Sequence, residues 1–452
     1  MKPILSIVIP TYGSPGSTKR TVERILEFDI REIEIVVSDN DPTGKQLGDY
    51  GNEVLDERLS FYRNTSNIGR SNNIVKTIER AKAGFVLLCG CNDTLYKRGV
   101  EAIIEQIAKT PDASIIMGNV ITTENNSAFR SVEAGTYNQG FSALNAIPFL
   151  GNYLPITLKK ECLPLAELYD IDEAYMQHRL MLIAASKGDF VYLDTLIGII
   201  QDNGTDNEST TNAEIKNLNI DYSSWNHDGI YYSPQARAKQ LISDLEIIDG
   251  YRLRQDKHLL LVDKHVNYKV SDVVEYIYSC RDPYLIQQAE KLTGVAHLEF
   301  YSADEALAIF EKLVEPYFAS REKENDYYYR GRLHDKIQNE LLLVREGELI
   351  LQRIKQTPIV YVFDQGTKGE RLTRILKLMG IECKMLDMSI ENEDNNCIVL
   401  VADIYDRKLE DEIQSMGMPE VYFMDLMDKY LAVAWCHLNN GGRDYNTFRR
   451  IL

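Results

Sequence analysis

Along the N-terminal half of this chain, short continuous apolar runs alternate with segments whose apolar residues recur every three or four positions. A run of about four to eight apolar residues suits a strand buried on both faces, and the wider spacing suits one face of a helix. Residues 4–9 are such a run, stopped by Pro10-Thr11-Tyr12-Gly13. Val22, Ile25 and Leu26 then predict a helix within 18–28, residues 33–38 a second strand, and residues 59–62 a third. Ile74, Ile78 and Ala81 form a helical stripe that leads into the run 85–89, which ends at Gly90 and delivers Asn92 and Asp93. The order β-α-β-β-α-β predicts an α/β sheet with parallel strands. In such sheets ligands gather at the carboxyl ends of the strands, so the polar residues there are the candidates for chemistry.

The pattern continues with a helix carrying Val100, Ile103, Ile104 and Ile107, a strand at 114–119, and a polar excursion through 125–139. Closing strands are predicted at 190–194 and 196–200, and the polar run 201–217 reads as a flap or linker. From about 234 to 356 the text is helical. Its stripes are Leu241, Leu245 and Ile248; Val273, Val274 and Ile277; Ala306, Ile309, Phe310 and Leu313; and Ile337, Leu341 and Val344. Strands return at 359–363, 383–386, 397–402 and 421–424, with helices at 371–379 and 409–416. This predicts three parts: 1–220, 221–356 and 357–452. The last is a small Rossmann-like α/β domain whose turn, Asp364-Gln365-Gly366-Thr367-Lys368-Gly369, lacks a dinucleotide fingerprint, so no NAD(P) is expected and a structural or oligomerising role is.

Composition narrows the function. At 452 residues the chain is long enough for several domains, and its net charge of −18 argues against broad contact with nucleic acid. No run is long enough to span a membrane, and the N-terminal apolar run scans as a first strand rather than a signal peptide. The expectation is a cytoplasmic protein, at most peripheral to the inner face of the membrane. Seven scattered cysteines predict buried free thiols, and Cys89 and Cys91 lack the second pair that a zinc-thiolate site needs. The run Tyr327-Tyr328-Tyr329-Arg330-Gly331-Arg332 is aromatic beside basic and reads as an interface or groove wall.

The strand ends, taken in order, resemble the nucleotide-sugar-binding half of the inverting GT-A glycosyltransferases of family 2, including those of bacterial polysaccharide biosynthesis. The likeness covers roughly the first 210 residues. Residues 6–12, ending in Pro10, Thr11 and Tyr12, look like that family's opening strand, and residues 36–40 like its second, where the position of Asp39 contacts the base. The stretch Asn67-Ile68-Gly69-Arg70-Ser71-Asn72-Asn73 is similar to the one preceding the metal motif, and Asn92 and Asp93 fall at the Asp-x-Asp motif. The resemblance implies a nucleotide-sugar donor, UDP by default, bound by Pro10, Thr11, Tyr12, Asp39, Asn67, Gly69, Arg70, Asn73, Asn92 and Asp93. It also implies Mg²⁺ or Mn²⁺ held by Asp93, since hard cations take oxygen ligands.

The chain departs from the family at Cys91, which stands where the motif has its first acid; Asn92 offers a neutral oxygen. Asp172 and Glu173 occupy the place of the family's Glu-Asp pair in reversed order, and either is a candidate catalytic base, with Asp170 behind them. His178, on the following helix, reads as structural or as a diphosphate neighbour. Asn152 and Tyr153 are candidate sugar contacts on the acceptor side. The implied acceptor is a glycan, lipid-linked or protein-linked, and a homo-oligomer or a complex with another glycosyltransferase is compatible. Two other readings stand beside this one. A GT-A subunit that has lost turnover and acts as a binding partner is favoured by Cys91. A nucleotidyltransferase would need an early glycine-rich basic phosphate loop, which Pro10-Thr11-Tyr12-Gly13 does not supply.

Overall fold

The apolar runs become strands because both their faces can be covered. The computed structural model of the chain describes residues 2–12, 14–44, 47–48, 50–122, 127–129, 132–149, 153–169, 171, 175–200, 234–279, 303–325, 328–363, 368–386, 397–402, 406–418, 420–424, 430–432 and 434–435. In β1 (Leu5–Thr11), β2 (Ile33–Asp39) and β4 (Phe85–Leu88), Ile7, Val8, Ile35, Val36, Val86 and Leu87 are wholly buried. Each such side chain contributes roughly 1.5–3 kcal/mol. Polar residues inside these strands reach across to the turn before β4: Glu34 Oε1 accepts the Lys82 N–H at 2.8 Å and Ser6 Oγ accepts the Ala83 N–H at 3.0 Å. Both bonds fix the turn that feeds β4.

With β3 (Leu59–Arg63), β5 (Thr94–Leu95), β6 (Ala113–Thr122), β7 (Ser127–Phe129), β8 (Gly135–Tyr137), β9 (Thr157–Lys159) and β10 (Asp189–Ile200), these strands make one ten-stranded sheet. Its order is β3-β2-β1-β4-β9-β6-β10-β5, with β7 on β6 and β8 on β10. The β3-β2-β1-β4 half is parallel, as the pattern predicts. The other half is mixed, because β9 inserts antiparallel between β4 and β6. A strand of three residues has no periodicity to read, and β9 has no counterpart in the sequence reading. The two expected closing strands are a single β10, paired with β6 through register shifts, one of them between Leu193 and Leu196.

Helices α1 (Pro15–Leu26), α2 (Tyr50–Glu53), α3 (Arg70–Arg80), α4 (Lys97–Lys109), α5 (Phe141–Ala146) and α6 (Met176–Ala184) belong with this sheet. Pro15 opens α1 where a missing N–H costs nothing. Arg58 closes it, donating to the carbonyls of Leu26, Phe28 and Ile30 while paired with Asp56. Gly69 caps the N-terminus of helix α3, with a φ of 81° that lies where side chains are strained.

Four long helices follow: α7 (Pro234–Asp249), α8 (Gln255–Ser279), α9 (Ala303–Asn325) and α10 (Tyr328–Gln356). Their expected stripes are buried at Leu241, Leu245, Ile248, Val273, Val274, Ile337, Leu341 and Val344. In α9 the covered face is Ala306, Leu307, Phe310, Val314 and Phe318, whereas Leu313 is 42% exposed. Leu313 was expected on that stripe; the helix is rotated so that Leu307 and Val314 take its place. The C-terminal part has β11 (Ile359–Phe363), β12 (Cys383–Met385), β13 (Cys397–Val401) and β14 (Glu420–Phe423), all parallel in the order β12-β11-β13-β14. Helices α11 (Lys368–Leu378) and α12 (Arg407–Ser415) accompany it. By internal contacts the chain divides into two compact units, Met1–Tyr231 with Lys239–His265, and Tyr232–Ala238 with Val266–Leu452. Among the described residues no helix is long and apolar enough to cross a membrane.

Candidate active site

The parallel register sets three strand ends side by side. Thr11 of β1 lies opposite Asp39 of β2, and Asp39 lies opposite Arg63 of β3. Asp39 is 1% exposed; its Oδ1 accepts the Asp41 N–H at 3.0 Å and its Oδ2 accepts Arg63 Nε at 3.2 Å. Burial pushes its carboxyl above the usual range, while the Asp41 N–H and the Arg63 guanidinium pull it back down. Arg63 also donates to the Gly48 carbonyl and lies over the Phe61 ring. The sequence reading missed Arg63: only pairing across the sheet reveals it as the partner of Asp39.

Behind this row, amide side chains tie the loop before α3 to the sheet. Asn40 Nδ2 donates to Asn67 Oδ1 at 2.7 Å, and Asn40 Oδ1 accepts from Asn64 Nδ2 and the Ile68 N–H. Asn73 Oδ1 accepts from Ser38 Oγ at 2.6 Å and Asn64 Nδ2 at 2.9 Å, and its Nδ2 donates to the Ser38 carbonyl. Arg80 closes the network on Ser38 Oγ and Asn64 Oδ1, stacked over Tyr62. The side chains of Asn67 and Asn73, both expected to face the donor, are thus engaged in holding the loop. The N-terminal turn of α3 presents Arg70, whose Nε donates to Tyr153 Oη at 2.8 Å. This contact joins a residue expected on the donor side to one expected on the acceptor side.

The turn after β4 is tied to α1, because Thr21 Oγ1 donates to the carbonyls of Cys91 and Asp93 at 3.0 Å each. Asp93 is 4% exposed, and its Oδ2 accepts the Gly90 N–H at 2.7 Å. Asp93 Oδ2 and Asn92 Oδ1 converge over Gly90: a β-carbon there would sit 2.8 Å from the first and 3.2 Å from the second. A carboxylate and an amide oxygen around one point form a donor set that suits a hard cation such as Mg²⁺ or Mn²⁺. Cys91 is not part of it. Its thiol is pushed up by burial and by the Asp93 charge, and the polar side chains of Thr11 and Ser14 pull it part of the way back. A protonated thiol is a poor metal ligand.

Of the other expected site residues, Pro10 and Thr11 end β1 and Tyr12 follows it. Asn152, Asp170, Asp172, Glu173, the polar run 201–217 and Asp364 to Thr367 lie outside the described residues. Cys89, Cys162 and Cys397 are buried free thiols, as expected, whereas the free thiols Cys91 and Cys383 are only half-buried.

Residues 6–154 match the sequence profile of Glycosyl transferase family 2. An uncharacterized glycosyltransferase of Methanocaldococcus jannaschii is 21% identical over 128 residues, which is 28% of this chain and 44% of that protein. The chain therefore spans less than half the length of this curated relative. The crystal structure of S. aureus TarS residues 1–349 in complex with UDP-GlcNAc superposes with a TM-score of 0.51 at 15% identity. It covers 77% of this chain and 92% of that one, a likeness of fold. A mannosyltransferase of Pyrobaculum calidifontis, solved with GDP-Man and Mn²⁺, reaches a TM-score of 0.40 at 12% identity, covering 75% of this chain and 88% of that one.

Proposed function

We propose, from a family 2 glycosyltransferase domain at residues 6–154, that this chain moves a sugar with inversion from a nucleotide-sugar donor to a glycan acceptor. The observation that carries the reading is the convergence of Asp93 and Asn92 over Gly90, in the turn at the same carboxyl end of the parallel strands as the Thr11–Asp39–Arg63 row. Asp39, buried and held by Arg63, accepts hydrogen bonds from the base, uracil by default. Arg70 and the N-terminal turn of α3 face the diphosphate, and the amide network keeps that turn in place. Asp93 and Asn92 would hold Mg²⁺ or Mn²⁺, which neutralises diphosphate charge when bound.

Inversion needs a single displacement. The acceptor hydroxyl oxygen bonds to the anomeric carbon as the bond from that carbon to the diphosphate oxygen breaks. The hydroxyl proton passes to a carboxylate, Asp172 or Glu173, and the nucleoside diphosphate leaves. A surface-polysaccharide or lipid-linked acceptor fits a chain working at the inner face of a membrane.

Titration calorimetry of UDP and GDP with and without Mn²⁺ tests this. Metal-dependent UDP binding lost in Asp93→Ala is expected, and no nucleotide binding at all would overturn it. Donor hydrolysis lost in Asp172→Asn or in Glu173→Gln identifies the base. The second reading, a GT-A subunit without turnover, is favoured by the thiol at Cys91. It predicts nucleotide binding with no donor hydrolysis in any variant.

A further inference from the structure

Three helices each bring one metal-binding side chain to a buried point within the first unit. His178 stands on α6, Asp244 on α7 and His265 on α8, and their side chains are 3%, 1% and 2% exposed. His265 Nδ1 lies 3.1 Å from Asp244 Oδ2, His178 Nε2 lies 3.7 Å from the same oxygen, and one ligand atom from each residue falls within 4.8 Å of the other two. We propose that His178, Asp244 and His265 bind one divalent transition-metal ion, zinc by their donor set, independently of the oxygen site at Asp93.

The two contacts to Asp244 Oδ2 differ in kind: His265 Nδ1 at 3.1 Å is within hydrogen-bond reach, and His178 Nε2 is not. At 3.7 Å, His178 Nε2 is too far from Asp244 Oδ2 for a hydrogen bond, so a proton does not bridge that pair. Metal bonds of about 2.0–2.1 Å at tetrahedral angles place neighbouring ligand atoms roughly 3.3 Å apart. The observed 3.1 and 3.7 Å lie on either side of that spacing. Shifts of a few tenths of an ångström bring both of these pairs to that spacing. Two imidazoles and one carboxylate favour zinc over magnesium or calcium, which take oxygen. Three protein ligands leave a fourth position for water or an exogenous ligand. A cation also offsets the cost of placing the Asp244 carboxylate where water does not reach it.

The surroundings fix the two rings. Phe149 stacks on His178 at 4.9 Å between centroids and meets His265 edge-on at 4.9 Å. Beside the ligands, Arg179 donates to Ser243 Oγ, which pins α6 to α7, and Lys264 donates to the carbonyls of Asn145 and Ile147. Each ligand thus has a sequence neighbour that anchors its backbone. The sequence reading placed His178 as structural or near the diphosphate. Its partners come from 66 and 87 residues further along (244 − 178 and 265 − 178), a separation that no short motif reports.

The full chain, dialysed against a chelator and titrated with Co²⁺ and then Zn²⁺, tests the proposal. One equivalent of Co²⁺ should give the intense visible bands of a low-coordinate site and be displaced by Zn²⁺. The bands should persist in Asp93→Ala and weaken by more than about tenfold in affinity in His265→Gln and Asp244→Asn. If those variants do not fold, His265→Cys keeps a donor and should add a cobalt–thiolate charge-transfer band. A wild-type chain without such bands overturns the proposal, leaving a His–Asp–His polar cluster. So does binding unchanged in His265→Gln, or binding abolished by Asp93→Ala alone.

Discussion

Replacing Gly90 with alanine tests whether the Asp93–Asn92 convergence is where a cation sits against the donor. Gly90 is not among the glycines of positive φ, so alanine meets no backbone strain there. The added carbon would lie 2.8 Å from Asp93 Oδ2, 3.0 Å from its Cγ and 3.2 Å from Asn92 Oδ1. The Asp93 carboxylate must move and Asn92 give by a few tenths of an ångström, so the 2.7 Å bond from the Gly90 N–H to the carboxylate is lost or stretched. A hydrogen bond to a charged group contributes roughly 1.5–3 kcal/mol, so UDP binding in the presence of Mn²⁺ should weaken by about 10- to 150-fold. Gly84→Ala is the control, because a β-carbon there meets nothing within 4 Å. Calorimetric titration of UDP with Mn²⁺ and with EDTA reads the effect. Gly90→Ala binding as tightly as wild type in Mn²⁺ would refute the assignment, and equal weakening in EDTA would move the effect from the cation to the nucleotide.

Arg63→Met should cost about 1–2 kcal/mol by urea denaturation at neutral pH, since it leaves the Asp39 carboxylate buried with less compensation while the lost guanidinium was partly exposed. Asp39 already titrates high, and losing Arg63 raises it further. The deficit should therefore shrink as pH falls and Asp39 protonates in both proteins. A deficit independent of pH would contradict the pairing. Thr21→Val removes the hydroxyl that serves the Cys91 and Asp93 carbonyls, and a loss of about 1–2 kcal/mol with weaker Mn²⁺-dependent UDP binding is expected. Intact binding would show that α1 does not position the turn. Burial holds the Lys264 ammonium down to about 8 from 10.5. Above about pH 8 the unfolded chain binds more protons than the folded one. Wild type should then gain stability over Lys264→Met, by at most about 1.4 kcal/mol per pH unit and less with solvent screening. A flat difference in denaturation free energy across that range would show that the amine is not desolvated.

The amino-acid sequence by itself determined the parallel half of the sheet and the positions of the polar strand ends. Runs such as Leu5–Thr11 and Ile33–Asp39 can only be buried on both faces, and their polar termini must then emerge together. That Cys91 stands where an acid is expected and Asp93 where one is kept was legible only through the resemblance of this strand end to the Asp-x-Asp motif. Tertiary structure decided the rest. Strand β9 was invisible because three residues have no period, and Leu313 lost its place on α9 because helix rotation follows from what packs against it. Arg63 became the partner of Asp39 only through cross-strand register. Asn67 and Asn73 took up positions in an amide network that links segments 40, 64 and 73. The His178–Asp244–His265 cluster is the extreme case. Its members are ordinary helix residues in the sequence, and only the packing of three helices makes them neighbours, because distance along a chain carries no information about side chains that meet across a core.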